Sequence, residues 1–227
     1  MHFLILQILP NDCVVITRSF FCIVAHNFVS LETQSHITME NIIRRMRELY
    51  PISDEALNLF TACLKKQTIA PKTIIIQSGK LNRNVYFIEK GLTRSFTLFD
   101  GKEITSWFSM EGDAACSSFS LYRNQPGFES VETLEETEAY VITTHQLTEL
   151  YNKYIDIANW ARVLQQENFL LLQDIHIARL HLSATERYQK MMKEFPNICN
   201  RVNLGYIASF LGITLPSLSR IRASRTL

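Results

Sequence analysis

The spacing of apolar positions changes twice along the chain. From Met39 the pattern has a helical period, with Ile43, Met46 and Leu49, then Leu57, Phe60 and Leu64, recurring at three- and four-residue steps. Pro51 separates two predicted helices within residues 40–70, and Ser53, followed by Asp54 and Glu55, is placed to cap the second. From Pro71 to Thr144 the period shortens. Runs of β-branched and aromatic residues at 73–77, 84–89, 92–99, 104–110 and 131–144 are punctuated by five of the seven glycines, which predicts an antiparallel roll or jelly roll. Asp100-Gly101 between two such runs predicts a tight hairpin.

Beyond Thr144 the helical period returns, and neither Gly nor Pro interrupts it before Leu182. The spacing predicts one long helix from about Ile157 to Leu182, with Asp156 as its cap. Ile157, Ala161, Leu164, Asn168, Leu171 and Ile175 form a seam of alternating three- and four-residue steps. One small core does not cover a helix of this length, so the seam is expected to pair with a second copy across a two-fold axis, with Asn168 fixing the register. Val163, Leu170 and Leu172 give the helix a further apolar side. The alternative is a helix packed only on its own β-roll.

Residues 204–223, LGYIASFLGITLPSLSRIRA, fit a helix-turn-helix at every structural position. Ile207, Leu211, Ile213, Leu218 and Ile221 are apolar, Ala208 is small where two helices would touch, and Gly212 stands where a left-handed turn is required. Thr214 is placed to cap the second helix, and Pro216 suits its first turn. The candidate DNA-binding side chains are Thr214, Leu215, Ser217, Ser219, Arg220 and Arg222. Arg220 is the expected guanine reader, Thr214 and Ser217 the expected phosphate contacts, and Arg225 the expected solvated arginine.

Charge sharpens this picture. The whole chain of 227 residues carries a net charge of only +1, yet residues 181–227 hold seven Lys and Arg against two acids. A basic module on a neutral chain is the electrostatic footprint expected for DNA. Residues 100–138 are the opposite, with nine acids and two bases. The five cysteines are widely spaced, which argues against an iron–sulfur cluster, a structural zinc or a disulfide framework. None of the six histidines lies between Pro71 and Thr144, so a metalloenzyme built on the roll has no imidazole ligands there. His176, the nearest candidate for an axial haem ligand, is read as a surface or packing residue. No G-x-S-x-G elbow or phosphate-binding G-x-x-x-x-G-K-[ST] loop occurs. No catalytic residue, metal or cofactor is therefore expected, and the chain is read as no enzyme. Residues 1–38 are apolar but broken by Pro10, Asp12 and Arg18, too short a run for a membrane span and without a signal-peptide pattern. They are expected to be an extension ahead of a true start at Met39.

A β-roll, a long helix and a C-terminal helix-turn-helix, in this order, resemble the cyclic-AMP receptor protein and fumarate–nitrate regulator (Crp/Fnr) family. The resemblance spans about Met39 to Leu227 and rests on VYFIEKGLTRSF (85–96), Gly112-Asp113, ATERY (184–188), and IASFLGIT with LSRIR (207–214, 218–222). The last two motifs are most similar to the subgroup common in Bacteroidetes-type bacteria. The resemblance implies an α+β chain: a cyclic-nucleotide-binding-type β-roll (39–148), a dimerisation helix (149–182) and a winged-helix-like helix-turn-helix (183–227). It also implies a cytoplasmic homodimeric transcription regulator, with double-stranded DNA, a small-molecule effector and RNA polymerase as partners. By that resemblance the effector site falls at Gly112, Asp113, Arg123, Glu129 and Ser130. The departure from the family pattern is chemical: Phe128-Glu129-Ser130-Val131 stands where a phosphate-binding arginine belongs, so the expected effector is something other than cyclic AMP. An effector-independent regulator and a protein-binding regulatory scaffold are the alternatives.

Overall fold

The computed structural model describes residues 39–224; the expectations for residues 1–38 and for Arg225 lie outside the described residues. Two helices open this part, α1 (Glu40–Leu49) and α2 (Asp54–Ala62). Ser53 caps α2, its Oγ accepting from Ala56 N at 3.3 Å. The N-terminal turn of α1 is held differently. The buried carboxylate of Glu89 accepts from Asn41 N (3.0 Å) and Ile42 N (3.2 Å), and Asn41 Nδ2 donates to Glu89 O. A carboxylate suits the positive end of a helix, so this contact ties α1 to the roll.

Eight strands follow in two four-stranded antiparallel sheets: β1 (Lys65–Ile69), β2 (Ile74–Ile76), β3 (Asn84–Lys90), β4 (Thr93–Phe99), β5 (Lys102–Ser109), β6 (Ala114–Ala115), β7 (Ser130–Thr133) and β8 (Thr137–Thr143). One sheet has the order β1-β8-β3-β6 and the other β2-β7-β4-β5. Ile76, Tyr86, Ile88, Val131, Ala139 and Val141 fill a core shared by the two. Asp100 and Gly101 both take positive φ at the β4–β5 turn, the geometry a tight hairpin demands.

The sequence pattern missed β1, reading residues 40–70 as helical throughout. β1 is a sheet edge with four of its five residues exposed, so it lacks the apolar alternation that marks a strand. The predicted run 131–144 divides into β7 and β8, and a short helix, α3 (Ser118–Arg123), lies where no element was expected.

Helix α4 (Thr144–Lys153) leads into α5 (Ile155–His181), so the expected boundary between residues 148 and 149 falls inside α4. The N-cap of α5 is Tyr154 and not Asp156. Asp156 instead accepts from Ser53 N at 3.2 Å, linking α5 to the start of α2. The N-terminal half of α5 is anchored by Trp160, whose ring lies 5.5 Å from Phe60 and 6.1 Å from Phe87. The C-terminal segment is helical throughout the described residues: α6 (Ala184–Glu194), α7 (Ile198–Arg201), α8 (Leu204–Leu211) and α9 (Leu215–Ala223).

Gly91 makes the β3–β4 turn possible. Its φ is +114°, and a Cβ there would lie 2.8 Å from Thr137 Cα and 2.9 Å from Glu136 O. Gly79 also has positive φ (+76°) but meets nothing within 4 Å. Gly91→Ala should therefore destabilise the fold by about 2 kcal/mol or more, and Gly79→Ala by about 1 kcal/mol. Denaturant midpoints compared at unchanged slope would check the difference.

Candidate nucleic-acid interface and effector site

Helices α8 and α9 cross at 99° about Gly212, which adopts φ +66°. Ile207, Ala208, Leu211 and Leu218 are buried at their junction, and Ile213 and Ile221 pack against the same cluster. Thr214 Oγ1 accepts from Ser217 N at 3.3 Å and fixes the first turn of α9. Ser219, Arg220 and Arg222 are exposed along α9, and Leu215 is 46% exposed. Arg220 reaches back to Ser217 Oγ at 3.4 Å. Thus α9 turns its Leu218 edge into the protein and its polar side outward.

Helix α8 is docked on the hairpin strand β5. Ser209 Oγ accepts from Thr105 N at 2.9 Å and donates to Glu103 O at 3.3 Å, while Phe210 stacks on Phe108 with centroids 5.4 Å apart. Arg94, only 1% exposed, pairs with Glu103 (2.5 Å) and Glu132 (2.6 Å), and its guanidinium lies 3.6 Å from the centre of the Tyr206 ring. At the end of α7, Arg201 donates to both oxygens of Glu111 (3.0 and 2.7 Å) and to Glu135 (2.5 Å).

These pairs revise the charge reading. Arg201 neutralises acids of the roll, Lys190 is paired with Asp174, and Arg187 donates to the carbonyls of Leu211 and Leu182. The described cations carried outward on α9 itself are Arg220 and Arg222. Arg187, Lys190 and Arg201, three of the seven bases, therefore hold the module in place, and Glu111 and Glu135 of the acidic run 100–138 are the counterpart of Arg201.

The proposed effector residues do not come together. Gly112 and Asp113 lie in the turn between β5 and β6, against α1: a Cβ on Gly112 would meet Arg45 Cβ at 2.9 Å. Asp113 accepts from Met110 N at 2.9 Å, and burial raises its carboxyl above the usual range. This pair shapes a turn. Ser130 Oγ accepts from Ser78 N, and Arg123 lies 5.3 Å from the Phe119 ring. Glu129, raised by burial, acts on Cys116, whose thiol burial pushes up to about 12. Cys116 in turn acts on Tyr122, raised by burial to about 12, and on Tyr151, also raised chiefly by burial. Cys116, Tyr122, Glu129 and Tyr151 are thus the polar groups gathered around α3. Cys116, Tyr122 and Tyr151 were missed because nothing in their spacing marks them; α3 and α4 bring them together. Among the described residues no group of three metal-ligating side chains converges.

The residues of the predicted dimer seam have partners within the chain. Ile157 is fully buried, and Ala161 and Leu164 pack on the same core of the roll. Asn168 is half-buried, and Leu171 and Ile175 line a cleft beneath α6 and α8. This seam faces the chain's own body. The outward apolar side of α5 instead carries Phe169, Leu170, Ile177 and Leu180, all more than half exposed. Leu170 and Ile177 lie two turns apart on one line with Val163.

Residues 66–154 match the family model of the cyclic nucleotide-binding domain. The β-roll is of the cyclic-nucleotide-binding type. A search of curated proteins finds no match. Among solved structures, the chain is similar to the c-di-GMP responsive global regulator CLP of Xanthomonas campestris (14% identity, TM-score 0.63, covering 77% of this chain and 92% of that one). It is also similar to FixK2 of Bradyrhizobium japonicum (19%, 0.60, 71% and 83%). A third is a transcriptional regulator assigned to the crp/fnr family, from Eubacterium rectale (18%, 0.61, 78% and 85%). These likenesses establish the shared fold of cyclic-nucleotide-binding β-roll, long helix and C-terminal helices.

Burial alone would raise Glu111, but hydrogen bonds from Arg201 and Gly91 N outweigh it and leave its carboxyl below the usual range. The stabilisation from a depressed carboxyl is complete above its unfolded pKa of about 4.3 and is lost as pH falls through the lower folded value. Acidification from about pH 5 to about pH 3 should lower the Tm of the wild type more than that of Arg201→Met. Differential scanning calorimetry across that range would check it.

Proposed function

We propose that this chain is a homodimeric DNA-binding transcription regulator of the Crp/Fnr type, and no enzyme, acting in the cytoplasm. The observation that carries the reading is the helix-turn-helix: two helices at 99° about Gly212, with Thr214 capping a second helix whose polar side is exposed. Leu215, Ser219 and Arg222 share one line of α9, Ser217 and Arg220 share the face opposite buried Leu218, and this exposed surface enters the major groove. Arg220 reads a guanine through its forked guanidinium; Thr214 and Ser217, at the positive end of α9, take phosphate.

A two-fold dimer places two copies of α9 one helical turn of DNA apart, which requires a near-palindromic site. The outward stripe of α5 supports the second copy, since a line of exposed Leu and Ile is covered at low cost by its own image. The β-roll takes an effector other than cyclic AMP. The groups gathered around α3 are a half-buried carboxyl, a thiol and two phenols, and the cation of α3, Arg123, lies over the Phe119 ring, so the surroundings favour a cyclic phosphate poorly. RNA polymerase is the further partner of such a regulator.

Selection of bound duplexes from a randomised pool, with and without a small-molecule extract of the host cell, tests this reading. Enrichment of a two-fold symmetric site is expected, and none at low or physiological salt would favour a protein-binding scaffold. Against the selected site, Arg220→Ala should cost about 1 to 3 kcal/mol and relax specificity at one base per half-site. Weakening that is uniform across sequences would make Arg220 a phosphate contact. Leu170→Asp with Ile177→Asp should give monomers in sedimentation; an unchanged dimer would show that this stripe is not the interface.

A further inference from the structure

A cleft of about 70 Å³ lies where β5, α5, α6 and α8 meet, between the roll and the helix-turn-helix. A single water needs roughly 10 to 15 Å³ by the same kind of measure, so the cleft has room for a small organic molecule. Its walls are apolar, with Trp107 and Phe210 on the roll and α8 sides and Ile175 and Met191 on α5 and α6. Its charged lining is unbalanced: Arg179, Arg187 and Lys190 against Glu194. Lys190 is already paired with Asp174.

The two arginines differ from it. Arg179 donates to Phe210 O at 2.7 Å, and Arg187 donates to Leu211 O at 3.1 Å and Leu182 O at 2.7 Å. Among the described residues neither has a carboxylate within ion-pair distance. A carbonyl satisfies a donor but does not neutralise a full charge, so two guanidiniums stand at an apolar cleft without a counter-ion.

We propose that this cleft is a regulatory site for a small monocarboxylate with an apolar body, an aryl or short branched acyl acid. The carboxylate binds Arg179 and Arg187, and the body rests against Trp107 and Phe210. Two of the three carbonyls that the arginines hold, Phe210 O and Leu211 O, belong to the last turn of α8, so a carboxylate that takes those donors loosens α8 from α5 and α6. Binding in the cleft requires nothing of the DNA reading. The consequence for DNA rests on it.

The test uses the full chain with phenylacetate and its neutral amide, phenylacetamide. The chain has two tryptophans, Trp107 in the cleft wall and Trp160 in the core, so binding is read by fluorescence and, independently, by thermal shift. Phenylacetate should give a saturable change, with the amide at least tenfold weaker. Trp107→Phe should remove the fluorescence change and keep the thermal shift. Arg179→Gln with Arg187→Lys should weaken phenylacetate about tenfold and leave the amide unchanged. Ile175→Trp, which fills the cleft from a half-buried position, should abolish both signals and gives a second route should the arginine pair fail to fold. Equal affinity for acid and amide, or no saturable change up to about 10 mM, would overturn the site. Binding that leaves affinity for a selected duplex unaltered would overturn the regulatory role. Failure to select any duplex would instead sink the DNA reading, with the fluorescence titration still deciding the cleft.

Discussion

The structure depends on how a basic helical module is held to an acidic roll. Arg201 reaches from α7 to Glu111 and Glu135, and Arg94 reaches from β4 to Glu103, Glu132 and the ring of Tyr206. Each guanidinium sits between two carboxylates, and one carboxylate of each pair lies in or beside β5. Removing either arginine would leave two acids close together and half-buried, which is more costly than the loss of a contact. The docking is therefore specific in register. An apolar interface alone could slide; Phe108 on Phe210 could not by itself prevent it.

This arrangement explains why opposite charge densities coexist in a chain of near-zero net charge. The acids of residues 100–138 and the bases after His181 look in sequence like two separate surface features. In space part of each is spent on the other. The cations exposed on α9 itself are Arg220 and Arg222. On the proposed reading two such surfaces act together on DNA, since α9 by itself offers few phosphate contacts. The exposed stripe of α5 and the modest charge of α9 are both consistent with the proposed dimer.

The helix-turn-helix was fully legible in the sequence because its constraints are local: a small residue, a left-handed turn and five apolar positions within twenty residues. The β-roll was legible in outline, since glycines and β-branched runs report strands wherever one face is buried. Edge strand β1 escaped because an exposed strand has no alternation to read. Gly112-Asp113 was matched by motif, and the structure uses that pair to turn the chain against α1 and Arg45, a packing that motif spacing does not report. The rotation of α5 was not legible for a different reason. A helix with two apolar sides shows a good heptad on either, and periodicity cannot say which one the roll will claim. Trp160 decides it: its stack on Phe60 and Phe87 fixes the rotation of α5, and every residue in line with Ile157 then faces inward.

The same rotation gives α5 its mechanical character. Its 27 residues span about 40 Å, and the two halves are held in unlike ways. The N-terminal half shares a close-packed core with α1, α2 and α4, where Ile157 and Trp160 are almost wholly covered. The C-terminal half borders an unfilled cleft, and its link to α8 is the hydrogen bond from Arg179 together with the packing around Ala178. A close-packed core resists a shift of even a methylene, while a cleft lets its lining residues repack at little cost. Any rearrangement of α5 is therefore concentrated at residues 171–181, beside the first helix of the helix-turn-helix. The outward stripe reaches Ile177 and Leu180 in this same stretch, so the proposed partner copy and the α8 contact would meet one segment from opposite sides.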